Sequence, residues 1–187
     1  MRIAISGTHG VGKSTLIDEF LSAHPDFSHE PEPYAVMVED YGEEFSAEPT
    51  VEDYYRQLEF NVARLQTHRQ GERVIYERSP FDFLAYLIAL GMLRPLQDCS
   101  VLVDSARGIV SDALRHLDVV VFLPLDDSNI EVSDEENPQL RNEVNSQLAT
   151  IFADHELERA KGSPLLIEAR GSTTRRLKMI EAVIRSR

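Results

Sequence analysis

The sequence predicts an α/β fold of three layers, in which a parallel sheet of five strands lies between helices. The chain of 187 residues alternates five short apolar runs with stretches of helical periodicity, the pattern of a parallel sheet with helical crossovers. A glycine-rich loop follows the first run directly, as is typical of the ligand-binding edge of such sheets. We therefore expect residues 1–187 to form one domain.

The glycine-rich loop is Gly7–Thr15 (GTHGVGKST), which lies between the first predicted strand, Ile3–Ile5, and an amphipathic helix. Strand–GxxxxGK[ST]–helix is the arrangement of a phosphate-binding loop. At an average glycine content, a chance match in a chain of this length is expected about 1% of the time. The residues expected to contact a nucleotide here are Gly7, Thr8, His9, Gly10, Val11, Gly12, Lys13, Ser14 and Thr15.

The residue types in this loop are those that phosphate binding requires. Glycines allow positive φ angles, so that successive amides point inward at an anion, and the N-terminus of the following helix adds partial positive charge. Lys13 can reach the β- and γ-phosphates, and the hydroxyl of Ser14 can ligate Mg²⁺. The loop therefore predicts binding of ATP with Mg²⁺, with GTP as the alternative donor.

Composition limits the partners and the location. The chain has 32 acidic and 19 basic residues and a net charge of −13, whereas nucleic acids and anionic membranes are bound by clustered Lys and Arg. No apolar run approaches the length of a membrane span. The single cysteine, Cys99, excludes an intrachain disulfide and is expected to be inert. With no recognisable targeting segment, we expect a cytoplasmic protein without nucleic-acid or membrane partners.

The second predicted strand, residues 27–30, ends at two prolines, and a short helix over 35–39 follows. A carboxylate at the carboxyl end of a parallel strand faces the crevice in which α/β folds bind ligands. Glu30 and Glu32 are therefore both candidates for a general base, and the pattern does not choose between them.

Residues 53–68 have the periodicity of a helix, with an apolar stripe on one face. Gln57, Asn61 and Arg64 are spaced so that they share another face. These groups can donate hydrogen bonds to a base or a sugar, although a solvated helix face is the commoner fate of such residues. Spacing alone favours the solvated face.

The third predicted strand, Val74–Tyr76, leads into Glu77 and Arg78. An acidic residue at the end of such a strand is where P-loop enzymes hold Mg²⁺. Arg78 beside it can meet a phosphate or orient the base carboxylate, and a structural ion pair is the alternative. The following helix, residues 81–90, is apolar on all sides, so we expect it to pack centrally or to form part of a homodimer interface.

A further predicted helix, residues 96–117, leads to the fourth strand, residues 119–123, and then to residues 124–142, the expected position of a mobile lid. Residues 124–138 hold six acidic residues and no Lys or Arg. Arg141 is the only cation close to this lid, and the next helix follows at once.

The fifth predicted strand is Leu165–Ile167, and the loop after it, residues 168–172, is expected to reach the carboxyl edge of the sheet. Its Gly171 is therefore a candidate contact of the adenine ring. Gly171, with the next two residues, caps the last helix. Arg175 and Arg176 are expected on the surface of that helix.

Two further motifs resemble those of the deoxynucleoside kinase group of P-loop kinases. Glu32-Pro33-Tyr34 is similar to the Glu-Pro motif whose Glu deprotonates the sugar hydroxyl, and Glu77-Arg78-Ser79 is similar to the (Asp/Glu)-Arg-Ser motif. Gln57 and Arg64 resemble that group's base-reading Gln and active-site Arg. The resemblance covers most of residues 1–90. The small size and the acidic lid with a single Arg are similar to small AAA-type ATP-binding kinase-like proteins.

The resemblance implies a sheet with its strands in the order 2-3-1-4-5. It also implies a Mg²⁺- and ATP-dependent kinase that phosphorylates a hydroxyl of a nucleoside or similar small molecule. The implied catalytic residues are Lys13, Glu32, Arg78 and Arg141, with Ser14 and Glu77 at the metal and Glu32, Gln57, Arg64 and Arg78 at the acceptor. The alternative is a regulatory ATPase or nucleotide switch that acts through a protein partner, which the lack of lid arginines favours. A nucleoside monophosphate kinase would need more positive charge around the acceptor.

Overall fold

The computed structural model describes residues 1–46, 48–94, 99–125, 137–154 and 162–186. Within them the strands are β1 (Arg2–Ser6), β2 (Ser28–Glu30), β3 (Val74–Glu77), β4 (Val119–Phe122) and β5 (Leu165–Glu168). The helices are α1 (Lys13–Ala23), α2 (Pro33–Glu39), α3 (Val51–Thr67), α4 (Pro80–Leu93), α5 (Cys99–Ala113), α6 (Pro138–Ala153) and α7 (Thr173–Ser186).

The described strands form one parallel sheet in the order β2-β3-β1-β4-β5, which confirms the predicted fold class and strand order. Ile5 of β1 is paired with Glu77 at the end of β3, and Ser6 with Phe122 at the end of β4. Because the strands are parallel and in this register, their carboxyl ends meet at one edge. The loops that carry the predicted site residues therefore start from the same edge of the sheet.

Two buried clusters cover the two faces of the sheet. α1 and α7 pack on one face, and α3 to α6 pack on the other. α4 lies at the centre of the second layer, in contact with α3, α5 and α6, which explains why it is apolar on all sides. Of the two uses expected for this helix, the structure shows central packing, and the homodimer stays a prediction.

Several element boundaries differ from the predicted ones for local reasons. α3 starts at Val51 because Thr50 and Asp53 form a reciprocal capping box, with the Asp53 amide 3.1 Å from the Thr50 hydroxyl. α5 ends at Ala113, and a short 3₁₀ turn leads into β4. The predicted lid falls largely on residues 126–136, which lie outside the described residues. Among the described helices, none is long and apolar enough to cross a membrane.

Candidate functional site

The loop between β1 and α1 has the backbone of an anion cradle. Gly7, Gly10 and Gly12 have φ angles of +150°, +70° and +87°, which residues with a side chain rarely adopt. A Cβ atom on Gly7 would lie 2.7 Å from the carbonyl oxygen of Leu123, so glycine is also required there by space. The loop ends at the N-terminus of α1, where the first amides have no partner within the helix.

Lys13 lies beneath this loop and is only 5% exposed. Its ammonium donates a hydrogen bond to the carbonyl oxygen of Thr8 at 3.2 Å. Burial lowers the pKa of Lys13 to about 8, and the charge of Arg78 adds to the lowering, while Glu32 opposes it. A buried ammonium of this kind gains free energy from an added anion, so the loop favours a phosphate electrostatically.

Two arginines from distant parts of the chain donate hydrogen bonds to carbonyl oxygens of the loop. Arg141 at the start of α6 donates through Nε to the carbonyl oxygen of His9 at 2.9 Å. Arg176 of α7 donates through Nη1 to the carbonyl oxygen of Val11 at 2.7 Å. Arg175 is exposed, as predicted. The prediction for Arg176 is wrong, because α7 packs against α1 and turns this side chain inward, where it is 7% exposed.

Ser14 and Glu77, the two predicted ligands of Mg²⁺, lie in contact beside the loop. The hydroxyl of Ser14 donates to Oε1 of Glu77 at 2.9 Å. Mg²⁺ prefers oxygen ligands and usually takes one or two protein side chains together with substrate phosphates. No group of three metal-ligating side chains occurs in the part of the chain that is described, and a two-ligand Mg²⁺ site needs none. The donor set therefore fits Mg²⁺.

Thr15 and Gly171 are the two remaining predicted nucleotide contacts. Thr15 is exposed in the first turn of α1. Gly171 is exposed after β5 with a φ of +94°. Ala169, two residues before Gly171, is bound to the sheet, because its amide donates to the carbonyl oxygen of Phe122 at 2.8 Å. The segment that carries Gly171 therefore leaves the sheet at the same edge as the phosphate-binding loop.

Glu32 and Arg78 form an ion pair between the ends of β2 and β3. Arg78 is 4% exposed and also donates to the carbonyl oxygen of Gly7 at 3.0 Å and to Asp82 at 3.4 Å. Its φ of +76° is rare for a residue with a side chain, and these contacts hold it. Burial acts to raise the pKa of Glu32, but Arg78 and Lys13 outweigh it and hold that pKa at about 2. Glu32 is therefore ionised at neutral pH.

Asp82 is a site residue that the sequence reasoning missed. Its carboxylate accepts hydrogen bonds from the amide of Gly7 at 2.9 Å and from the amide of Ser79 at 2.8 Å. The Ser79 hydroxyl lies 2.6 Å from that of Ser6 at the end of β1. Asp82 thus ties the start of α4 to the phosphate-binding loop. The detectable signal was the Ser-x-x-Asp spacing of a capping box, which the structure contains.

Glu30, the other candidate base, lies in a separate cluster. Arg64 donates through Nε to Glu30 at 2.6 Å and through Nη1 to the carbonyl oxygen of Pro31 at 2.7 Å. His68 contacts the second carboxylate oxygen of Glu30 at 2.7 Å and Glu72 at 2.8 Å. Although the sequence predicts that Arg64 contacts the acceptor, Arg64 and Glu30 are both absent from the lining of the pocket beside Glu32.

That pocket has a volume of about 270 Å³ and largely aromatic walls. The rings of Tyr54 and Tyr86 stack with their centroids 4.3 Å apart. Such walls suit a flat ring, and the polar groups among them can fix its orientation. The lining residues are His9, Glu32, Tyr34, Phe45, Ser46, Pro49, Asp53, Tyr54, Gln57, Arg78, Phe83 and Tyr86.

The polar face predicted on α3 is buried at two of its three positions. Gln57 lines the pocket, and Asn61 donates through Nδ2 to the carbonyl oxygen of Arg78 at 3.4 Å. Oδ1 of Asn61 is buried without a hydrogen-bond partner. The solvated face that spacing alone favoured is therefore wrong for Gln57 and Asn61, because α3 packs against α4 and both side chains are buried.

The pocket offers little positive charge to a ligand. Among the described residues that line it, Arg78 is the one Lys or Arg, and its guanidinium is engaged by Glu32 and Asp82. Asp53 adds a second carboxylate to the lining. Within this described lining, an anionic group would meet two carboxylates and an arginine that is already paired. The geometry is suited to a neutral or cationic ring.

Comparisons with known proteins agree with this architecture. A family model described as an AAA domain matches residues 2–176. Curated protein sequences gave no significant match. Deoxyadenosine kinase from M. mycoides, solved with dCMP and dCDP, aligns with a TM-score of 0.73 and 17% identity over 100% of both chains.

Two further solved structures are similar. The NadR protein in complex with NR aligns with a TM-score of 0.69 and 18% identity over 98% of this chain and 50% of that protein. Thymidylate kinase from Candida albicans aligns with a TM-score of 0.62 and 15% identity over 99% of this chain and 91% of that one. These likenesses show the fold, which is that of P-loop kinases.

Proposed function

The chain belongs to the AAA domain family, and on this premise we propose that it is an ATP-dependent kinase acting on a hydroxyl of a nucleoside or similar small molecule. The observation that carries the proposal is the position of Glu32. This carboxylate is ionised, paired with Arg78, and lines an aromatic pocket beside the phosphate-binding loop. A switch that passes its phosphate to water needs no such pocket.

On the donor side, Lys13 and the inward amides of the loop hold the β- and γ-phosphates of ATP. Ser14 and Glu77 would hold Mg²⁺, which would supply positive charge to the transferring group. This assignment is supported by their contact of 2.9 Å at the edge of the loop. Arg78 and Arg141 lie against the loop carbonyls and add positive charge beside the transferring phosphate.

On the acceptor side, Glu32 accepts a hydrogen bond from the acceptor hydroxyl and takes its proton. The hydroxyl oxygen bonds to the γ-phosphorus while the bond from that phosphorus to the bridging oxygen breaks, and ADP leaves. A carboxylate with a pKa of about 2 receives the proton late, after most of the bond to the leaving oxygen has broken. That timing suits the loose transition state of phosphoryl transfer, in which orientation of the hydroxyl matters more than its deprotonation.

The pocket supports an acceptor that has a flat ring and carries no phosphate. Gln57 supplies an amide for the ring, and aromatic walls cover its faces. The similar solved structures differ in this respect, since they include deoxyadenosine kinase, a complex with NR, and thymidylate kinase. The two carboxylates and the engaged arginine of this pocket favour an unphosphorylated acceptor over a nucleoside monophosphate.

The proposal is tested by a thermal-shift screen of nucleosides, deoxynucleosides, nucleoside monophosphates and NR in the presence of Mg²⁺ and an unreactive ATP analogue. A true acceptor raises the melting temperature by mass action. Compounds that do so are then assayed with ATP for a phosphorylated product. We expect an unphosphorylated compound to be both a stabiliser and a substrate.

Two results would contradict the proposal. Phosphorylation of a monophosphate but of no nucleoside would identify a nucleoside monophosphate kinase. ATP hydrolysis that no small acceptor changes, but that a protein partner accelerates, would identify a switch.

A further inference from the structure

We propose that Arg176 is a positioning residue of the donor site. It lies in α7, far along the chain from the phosphate-binding loop, and its guanidinium fixes the orientation of the peptide between Val11 and Gly12. The inference rests on the proposed function only in assuming that the loop binds nucleotide phosphates. It concerns the affinity for the donor and requires neither an acceptor nor catalysis.

The first step is the geometry of one peptide unit. None of the described peptide bonds is cis, so the C=O and N–H groups of the Val11–Gly12 peptide point in opposite directions. Nη1 of Arg176 holds the carbonyl oxygen of Val11 at 2.7 Å. The amide of Gly12 therefore points away from Arg176, toward the inner side of the loop, where a phosphate would accept its hydrogen bond.

The second step is that this peptide needs an external restraint. Gly12 has a φ of +87°, and glycine occupies positive and negative φ with similar ease. A peptide next to glycine can therefore rotate at little cost, which would turn the amide outward and the carbonyl toward the anion. A hydrogen bond from a charged donor to the Val11 carbonyl opposes that rotation.

The third step is that Arg176 is itself held in place. Ile180, one helical turn further along α7, is fully buried in the cluster that includes Leu16 and Ile17 of α1. The amide of Arg176 donates to the carbonyl oxygen of Ser172 at 3.0 Å in the first turn of the helix. The guanidinium thus extends from a rigid helix. It can therefore hold the Val11–Gly12 peptide in its binding orientation before a nucleotide binds.

The test measures binding of MgADP by calorimetry in the full chain, without an acceptor. Arg176→Met keeps much of the side-chain volume but removes the donor, and we expect its Kd for MgADP to rise about tenfold. Arg176→Lys keeps a positive charge without the planar fork, and we expect a smaller rise of about threefold. Lys178→Met is the matched control, because Lys178 is an exposed cation of the same helix, and its Kd should equal that of the parent.

Transfer kinetics separate positioning from a general loss of structure. The proposal predicts a raised KM for ATP in Arg176→Met with an unchanged KM for the acceptor, whereas a displaced α7 would alter both. An unchanged Kd for MgADP in folded Arg176→Met overturns the proposal. If Arg176→Met does not fold, an unchanged Kd in Arg176→Lys overturns it equally.

The two proposals fail in different ways. If the parent protein binds MgADP but phosphorylates no acceptor, the kinase function is contradicted. The Kd values of the Arg176 variants for MgADP still test the role of Arg176 in that case. A parent protein that does not bind MgADP overturns both proposals.

Discussion

The donor half and the acceptor half of the candidate site meet at one edge of the sheet, but they are built in different ways. The donor half is nearly continuous in sequence, since most of it lies within residues 7–15, and backbone groups form its cradle. The acceptor half combines side chains from the segments around residues 32, 45, 54 and 83. Its shape depends on how α2, α3 and α4 pack.

This difference has a consequence for specificity. Backbone amides bind any phosphate of suitable size, and they are set by glycine positions that tolerate little change. Aromatic walls and single polar groups select among rings, and they can change without altering the fold. The donor half therefore indicates the class of reaction, whereas the acceptor half determines the particular substrate.

The largest expected effect comes from removing the buried cation of the donor half. Lys13→Met should lower kcat/KM for phosphoryl transfer by about 10³-fold, because a preorganised charge at the transferring group is lost. It should weaken binding of an ATP analogue as well, while stabilisation by the acceptor alone persists in a thermal-shift assay. If Lys13→Met bound neither the ATP analogue nor the acceptor, the donor and acceptor halves would not bind their ligands independently.

The second effect is confined to the acceptor half and compares two neighbouring carboxylates. Glu32→Gln should lower kcat by about 10²-fold because it removes the proton acceptor, with the affinity for MgADP retained. Glu30→Gln, the matched control, breaks the contact with Arg64 and should lower kcat far less. Equal losses of kcat in the two variants would contradict the assignment of Glu32 as the proton acceptor.

The same division explains what the sequence could predict. The cradle and the alternation of strands and helices follow from local patterns, because glycines and apolar runs determine the backbone where they occur. The strand order is not a local property, and it is predicted only through the resemblance to P-loop kinases. The helix face of Gln57 was ambiguous, because its burial depends on where α3 packs. Spacing placed Arg64 beside Gln57 but could not show that it pairs with Glu30. The inward position of Arg176 likewise depends on the packing of α7 against α1.

The third prediction tests whether Arg64 contributes by positioning Glu32. Arg64 holds the carbonyl of Pro31, the residue before Glu32, so its loss frees the segment that carries the base. Arg64→Met should lower kcat by about tenfold, since a small displacement of a reacting group is costly, with little change in KM for ATP. Arg69→Met removes an exposed arginine just beyond α3 and should leave kcat unchanged. A raised acceptor KM with unchanged kcat would instead indicate direct contact with the acceptor.

The smallest expected effect is a pH dependence that belongs to the donor half alone. Burial and the neighbouring Arg78 place the pKa of Lys13 at about 8, and phosphates bind its protonated form. Affinity for MgADP should be highest below that pKa and should fall as pH rises through it, because binding then requires uptake of a proton. Phosphate groups are fully ionised well below this range, so the ligand does not contribute. Calorimetry from about pH 7.5 to about pH 9 should show a rise in Kd of about eightfold. Lys13→Arg, which stays protonated, should remove the dependence, and a flat profile in the parent would contradict the assignment to Lys13.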